Sequence, residues 1–267
     1  MRYAICNELF ENWSWEDTCR SAAAVGYQGI EVAPFTLAAD IRELDAAART
    51  NIYETAEAFS LEITGLHWLL VSPKGLSVTD EDAEVRGATG KYLVSLVDFC
   101  ADLGGKTLVF GSPNQRRLPA GGAEVAADRY CTALRPALVR ARERGVVFCL
   151  EPLPAPEADF LLTLSDALSL IKRLDNPAAK TVLDVKSACS ENISIPDLIR
   201  QYAPWISHVH ANDANRRGPG FGDTDFQPIM AALKEIGYDG WVSVEPFDYS
   251  PDPVTVAQKS LETLKRA

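Results

Sequence analysis

Apolar positions recur along the chain in two alternating rhythms. Short runs rich in β-branched and apolar residues lie at about 2–6 (RYAIC), 29–33 (GIEVA), 61–67 (LEITGLH), 106–111 (KTLVFG), 146–151 (VVFCLE), 180–184 (KTVLD), 206–210 (ISHVH) and 241–245 (WVSVE). These eight runs predict strands. Between them apolar residues return every three to four positions, which predicts helices over about 14–25, 82–103, 123–144, 164–174, 225–237 and 253–266. Ser14 stands where the first helix needs a cap, and Thr163 or Ser165 where the helix at 164 needs one. Gly26, Gly104, Gly145 and Gly237 follow helix ends.

Strands that alternate with helices predict an α/β fold with a parallel sheet and right-handed crossovers. The 267 residues match the size of one (β/α)8 barrel, about 250 residues. The expectation is therefore a single (β/α)8 barrel domain over residues 1–267. A doubly wound sheet is the alternative, but no GxGxxG loop follows the first strand. The longest irregular stretches, about 111–122, 152–162 and 211–224, all follow predicted strands. Barrel enzymes build their sites from those loops.

Charge narrows the partners. The formal net charge is −11, and a phosphate backbone is bound through Lys and Arg. Nucleic acid and anionic membrane surfaces are thus not expected partners. The N-terminus shows no signal-peptide pattern, and no apolar stretch reaches 18 residues. Cys6, Cys19, Cys100, Cys131, Cys149 and Cys189 form no CxxC pair and read as free thiols. A cytoplasmic location is the expectation.

Four strands end in ionisable residues: Glu151, Asp184, His210 and Glu245. Their successive spacings of 33, 26 and 35 residues each fit one strand-plus-helix unit. On strands five to eight of a barrel they would converge at its mouth. Residues i and i−2 share a strand face, so Cys149, Val182, His208 and Ser243 form the expected layer below. Three carboxylates and an imidazole suit Mg²⁺, Mn²⁺ or Co²⁺. Without a cation among them the carboxylates repel one another. The competing reading of each residue alone is a helix cap or a salt-bridge partner.

At these residues the sequence resembles the sugar phosphate isomerase/epimerase family of the xylose-isomerase-like barrel superfamily, which includes the D-tagatose and D-psicose 3-epimerases. The resemblance covers the whole chain. Its specific part runs from Glu151-Pro152 to Glu245-Pro246 and includes His208-Val209-His210-Ala211-Asn212-Asp213 and the Asn215-Arg216 to Gly222 loop. It implies one divalent metal, Mn²⁺ foremost with Mg²⁺ or Co²⁺ as alternatives, on Glu151, Asp184, His210 and Glu245. Glu151 and Glu245 would double as the acid/base pair, and His67, Glu157 and Arg216 would contact substrate hydroxyls. It also implies a small sugar substrate and a homodimer or homotetramer. One position departs from the pattern. Many such epimerases carry a histidine three residues after the Asp ligand, where this chain has Ser187.

The implied reaction is epimerisation or isomerisation of a ketose or keto-sugar by proton abstraction through a cis-enediolate. The alternative is a lyase or dehydratase on a keto-sugar, a keto-glycoside or a dehydroshikimate-like acid, since the same enolate can expel a leaving group. A multi-zinc DNA-repair endonuclease needs more histidines than His67, His208 and His210, and less negative charge. A non-catalytic sugar-binding module would have no need of the intact ligand set. Beyond this set, His208 is read either as a group that orients a ligand or as a packed barrel histidine. Asp213 either holds His210 or caps a loop. Glu31 is either a substrate contact or a structural ion-pair member. Trp68 and Phe247 read as pocket walls or packing, Arg116 and Arg117 as phosphate contacts or, more commonly, solvated loop charges, and Cys6 and Cys149 as inert buried thiols.

Overall fold

The computed structural model describes all 267 residues. The strands are β1 (Arg2–Cys6), β2 (Gly29–Val32), β3 (Glu62–Leu66), β4 (Thr107–Phe110), β5 (Val147–Leu150), β6 (Ala179–Asp184), β7 (Ile206–Ala211) and β8 (Trp241–Val244). They hydrogen-bond in chain order into one closed parallel barrel, with β8 returning to β1. The helices are α1 (Trp15–Val25), α2 (Ala46–Ala58), α3 (Ala83–Asp102), α4 (Gly122–Arg144), α5 (Leu164–Leu174), α6 (Val185–Ala188), α7 (Ile195–Tyr202), α8 (Phe226–Glu235) and α9 (Pro253–Arg266). The expected strand positions agree to within a residue or so. Of the ionisable strand ends, Asp184 closes β6 and His210 lies in β7, while Glu151 and Glu245 fall one residue past β5 and β8.

Two compact units share the chain. The first comprises Met1–Val32, Asn51–Thr64 and Val182–Ala267. Within it Ala4 of β1 is in register with Gly29 of β2 and with Ser243 of β8, and His210 of β7 with Ser243 of β8. The apolar stripe of α9 buries Val256, Ala257, Leu261 and Leu264. Tyr27 fixes that helix by donating its hydroxyl to the Ala257 carbonyl at 2.8 Å. Ser14 caps α1 by accepting from the Asp17 amide at 3.1 Å. Gly26 ends that helix in the left-handed conformation that a side chain disfavours.

The second unit comprises Ala33–Thr50 and Gly65–Thr181. Here Gly65 of β3 aligns with Thr107 of β4, Phe110 of β4 with Leu150 of β5, and Leu150 with Thr181 of β6. The Thr181 hydroxyl donates to the Leu150 carbonyl at 2.8 Å and fixes that register. Phe110 stacks on Tyr130 with ring centroids 5.5 Å apart and meets Phe148 edge-on at 5.9 Å, so aromatic packing joins β4, α4 and β5. Thr163 is the cap of α5, in a reciprocal pair with Asp166. No helix is long and apolar enough to cross a membrane.

Candidate active site

The first unit gathers most of the expected site residues. Asp184, His210 and Glu245 are 3%, 0% and 4% exposed, and one potential ligand atom of each lies within 4.8 Å of the others. His210 presents Nδ1 to Glu245 Oε2 at 3.0 Å. Its Nε2 lies 3.2 Å from Glu31 Oε1, and the other oxygen of Glu31 lies 2.8 Å from His208 Nε2. Glu31 thus bridges two buried imidazoles. Burial alone would raise its pKa. The two imidazoles outweigh burial and hold the carboxyl well below the usual range. A carboxylate behind a histidine fixes the ring's orientation and tautomer and makes its other nitrogen a better donor.

Glu31 is therefore the residue that orients His210, and His208 is its second partner. Of the two roles open to Glu31, the geometry gives the structural one. Asp213 does not hold His210. It accepts from the Thr224 hydroxyl at 2.9 Å, and its amide donates to the Arg217 carbonyl at 2.8 Å, so it closes the loop after β7. A short acidic side chain that finds hydroxyl and amide donors in its own loop is satisfied locally. Replacing Glu31 with glutamine should keep a hydrogen-bonding group there but remove its charge. We expect divalent-metal affinity to fall about 10–100-fold, read by calorimetric titration; an unchanged affinity would detach Glu31 from the site.

Asn212 escaped the sequence reading. Its side-chain amide donates to Asp184 Oδ2 at 2.6 Å and reaches Glu245 Oε2 at 3.4 Å, while its Oδ1 accepts from the Lys186 amide at 2.9 Å. The available signal was its position two residues after His210, on the same face. Asp184 also accepts from the Ser187 amide at 2.6 Å. Ser187, the departure from the epimerase pattern, thus orients the aspartate through its backbone. Lys186 is buried, with Nζ 5.3 Å from the Phe247 ring centroid. Arg216 is exposed and places its guanidinium 5.2 Å from the same ring. Beneath the cluster the Cys6 thiol lies 3.4 Å from Ser243 Oγ. Burial, then the Glu31 charge, pushes its pKa well up, which leaves it an inert thiol.

Within the second unit Glu151 follows β5 and is 7% exposed. Arg116 is not a solvated loop charge; it is fully buried. Its Nη2 donates to the Glu151 carbonyl at 2.9 Å, Nε to the Gly111 carbonyl at 2.6 Å, and Nη1 to the Phe160 and Leu161 carbonyls at 2.6 and 3.0 Å. The guanidinium fork matches converging carbonyls, so one cation ties the ends of β4 and β5 to the loop after β5. A Cβ on Gly111 would collide with Glu151 Oε2, so the glycine leaves that carboxylate the room it takes here. His67 is buried just past β3, and Glu157 is half-buried in the loop after β5.

Backbone strain concentrates on the same side of the strands. Asn12, Trp68, Ser112, Leu161 and Arg216 have positive φ, and each lies in the segment that follows a strand. Such conformations cluster at functional sites, where surrounding structure holds them.

The closed parallel barrel carries, at its strand ends, buried carboxylates around an oriented imidazole, a group of residues that could hold a metal ion. The donors of the first unit, two carboxylates and a ring nitrogen, fit a divalent cation. A neutral amide bridging two carboxylates does not by itself relieve their repulsion. The chain belongs to the Xylose isomerase-like TIM barrel family, which matches residues 19–267.

Among curated proteins it is similar to the D-psicose 3-epimerase of Ruminiclostridium cellulolyticum, with 33% identity over 120 residues, 45% of this chain and 41% of that protein. The matched stretch thus spans about two fifths of that relative's length. The 3-dehydro-D-guloside 4-epimerase of Escherichia coli is 25% identical over 99% of both chains. Among solved structures, an E. coli 3-keto-D-glucoside 4-epimerase superposes with a TM-score of 0.86 at 22% identity over 100% of both chains. A D-psicose 3-epimerase crystallised in the presence of D-fructose superposes with a TM-score of 0.82 at 24% identity, over 97% of this chain and 90% of that one. These superpositions carry the fold.

Proposed function

We propose that the protein epimerises a ketose or a keto-glycoside by moving a proton at the carbon beside the carbonyl. One divalent ion would be held by Glu151, Asp184, His210 and Glu245. The observation that carries this reading is the convergence of Asp184, His210 and Glu245, with His210 held from behind by Glu31. Glu151 is added as the fourth ligand because it directly follows β5, the strand next to β6, and because Arg116 and Gly111 hold and accommodate it. The relatives named above as epimerases support the substrate class. When bound, the ion would polarise the carbonyl and acidify the adjacent C–H.

The chain's own residues would do the rest. Glu245 takes the proton from carbon, leaving an enediolate, and Glu151 returns one from the opposite face. Asn212 keeps Glu245 in place through its amide. His67, Glu157 and Arg216 bind the sugar hydroxyls. Ser187 in place of a histidine leaves one rival outcome open, loss of a β-substituent from the same enolate.

Proton NMR in D₂O, with Mn²⁺-loaded protein and a panel of ketohexoses and 3-keto-glycosides, tests the reading. Deuterium beside the carbonyl together with a new epimer is the expected result. An unsaturated product would make the protein a lyase. Absence of exchange from every sugar would remove the epimerase reading.

A further inference from the structure

The segments after β2 and β3 carry two large aromatic side chains that remain open to solvent. Phe35 is 38% exposed and Trp68 is 36% exposed. Their rings meet edge to face, with centroids 6.4 Å apart and planes at 72°. In that arrangement the edge of one ring faces the other, and both side chains keep more than a third of their surface exposed. Hydrogen bonds hold both segments in place. Phe35 sits in a single 3-10 turn that begins at Pro34, and Thr36 closes the turn by donating to the Ala33 carbonyl at 2.7 Å. Ser72 ties the segment after β3 to the Ala39 carbonyl, Tyr92 donates to the Ser72 carbonyl at 3.0 Å, and the Leu70 amide donates to Ser112 Oγ at 3.2 Å.

Trp68 has a φ of +52°, a conformation that a bulky side chain adopts only at a cost. Strain that places a half-exposed indole on a fixed frame points to a use for the ring. The preceding residue is His67, 1% exposed and read above as a substrate contact. From His67 to Trp68 the chain passes from the interior to the rim. One residue thus separates a buried candidate for substrate contact from an exposed ring.

We infer that Phe35 and Trp68 form a subsite for a second sugar ring, so that the substrate is a keto-glycoside rather than a free ketose. The axial C–H face of a pyranose is apolar and weakly positive. It matches the negative face of an aromatic ring, while the hydroxyls at its edge stay in water. A rigid platform loses little freedom when the ring docks. The inference rests on the epimerase reading for the identity of the first ring, but not for the platform itself.

Calorimetry on the full-length protein tests it, with methyl 3-keto-glucoside and 3-keto-trehalose as probes. These differ in whether a second ring is present. The wild type should bind the two-ring sugar about tenfold more tightly, the scale of one good stacking contact. Trp68→Ala should bring the ratio of the two affinities to about one, and Trp68→Phe should restore most of it. Equal affinities in the wild type would overturn the inference, as would a ratio that survives Trp68→Ala. Should Trp68→Ala not fold, Phe35→Ala is expected to lower the same ratio, and an unchanged ratio there would also overturn it. A subunit contact in place of a sugar subsite would show as a change in sedimentation with no change in the ratio. Deuterium exchange, measured in parallel, separates the two ideas. Exchange without a Trp68-dependent ratio removes the subsite alone, and the ratio without exchange removes the epimerase reading alone.

Discussion

Glu245→Gln is expected to lower turnover about 10²–10⁴-fold, the contribution of a positioned acid or base, while the protein stays folded. The substitution is isosteric. The new side chain can turn its carbonyl oxygen toward the Asn212 amide, which now reaches Glu245 Oε2 at 3.4 Å. It also removes one negative charge from a buried cluster that holds Asp184 nearby, which relieves repulsion. Turnover should fall with no loss of thermal stability in the metal-free protein. Divalent-metal affinity should fall as well, because an amide oxygen is a poorer ligand than a carboxylate. Loss of solvent deuterium incorporation, measured beside an unchanged melting curve, checks both halves. A fully active variant would remove Glu245 from the proton-transfer role.

Arg116→Met should destabilise the protein more than any other single change considered. The guanidinium serves four carbonyl oxygens, those of Gly111, Glu151, Phe160 and Leu161, and methionine serves none. Each buried acceptor left without a donor costs about 1–3 kcal/mol. The methionine variant no longer desolvates a cation, which offsets part of that loss. A net loss of about 4 kcal/mol is the expectation, or roughly 10 °C in Tm for a chain of this size. Burial lowers the Arg116 pKa only from an already high value, and arginine stays charged in proteins. The loss should therefore be the same at pH 6 and pH 9. Arg116→Lys should recover only part of it, since an ammonium cannot reproduce the fork. Melting curves of the three proteins settle the matter, and a methionine variant within about 2 °C of the wild type would contradict it.

The two residues behind these predictions were not equally visible in the sequence. Glu245 ends a β-rich run at the spacing of one strand-plus-helix unit from His210, so period and spacing expose it. Arg116 lies in an irregular stretch beside Arg117, where composition suggests solvent. Its burial depends on four carbonyls that converge from three separate segments, and no local pattern records that convergence. Asn212 falls between these cases. Strand alternation puts it on the face of His210, but only the fold shows that its amide meets Asp184 and Glu245.

Helices follow the same division. The stripes of α5 and α9 are regular, and both helices lie where the apolar rhythm puts them. Helix α2 buries only Ile52 and Ala56, and α7 is eight residues long with a proline in its first turn. Helix α2 offers too few apolar positions for a clear period, whereas α7 keeps helical spacing at Ile195, Leu198, Ile199 and Tyr202 but is too short to stand out along the chain.

Strand number, strand order, the side on which the ionisable residues lie, and the oxygen-rich character of the donor set all follow from the sequence. They depend on local alternation and on spacings that one strand-plus-helix unit fixes. The tertiary structure alone decided which carboxylate stands behind His210, that Asp213 serves its own loop, and that Arg116 is an interior cation. The Glu31 and Arg116 contacts join segments far apart in the chain, and those of Asp213 join positions of one irregular loop whose path no period records. Periodicity tells a side chain which face it occupies, but only closure of the sheet determines what it meets there.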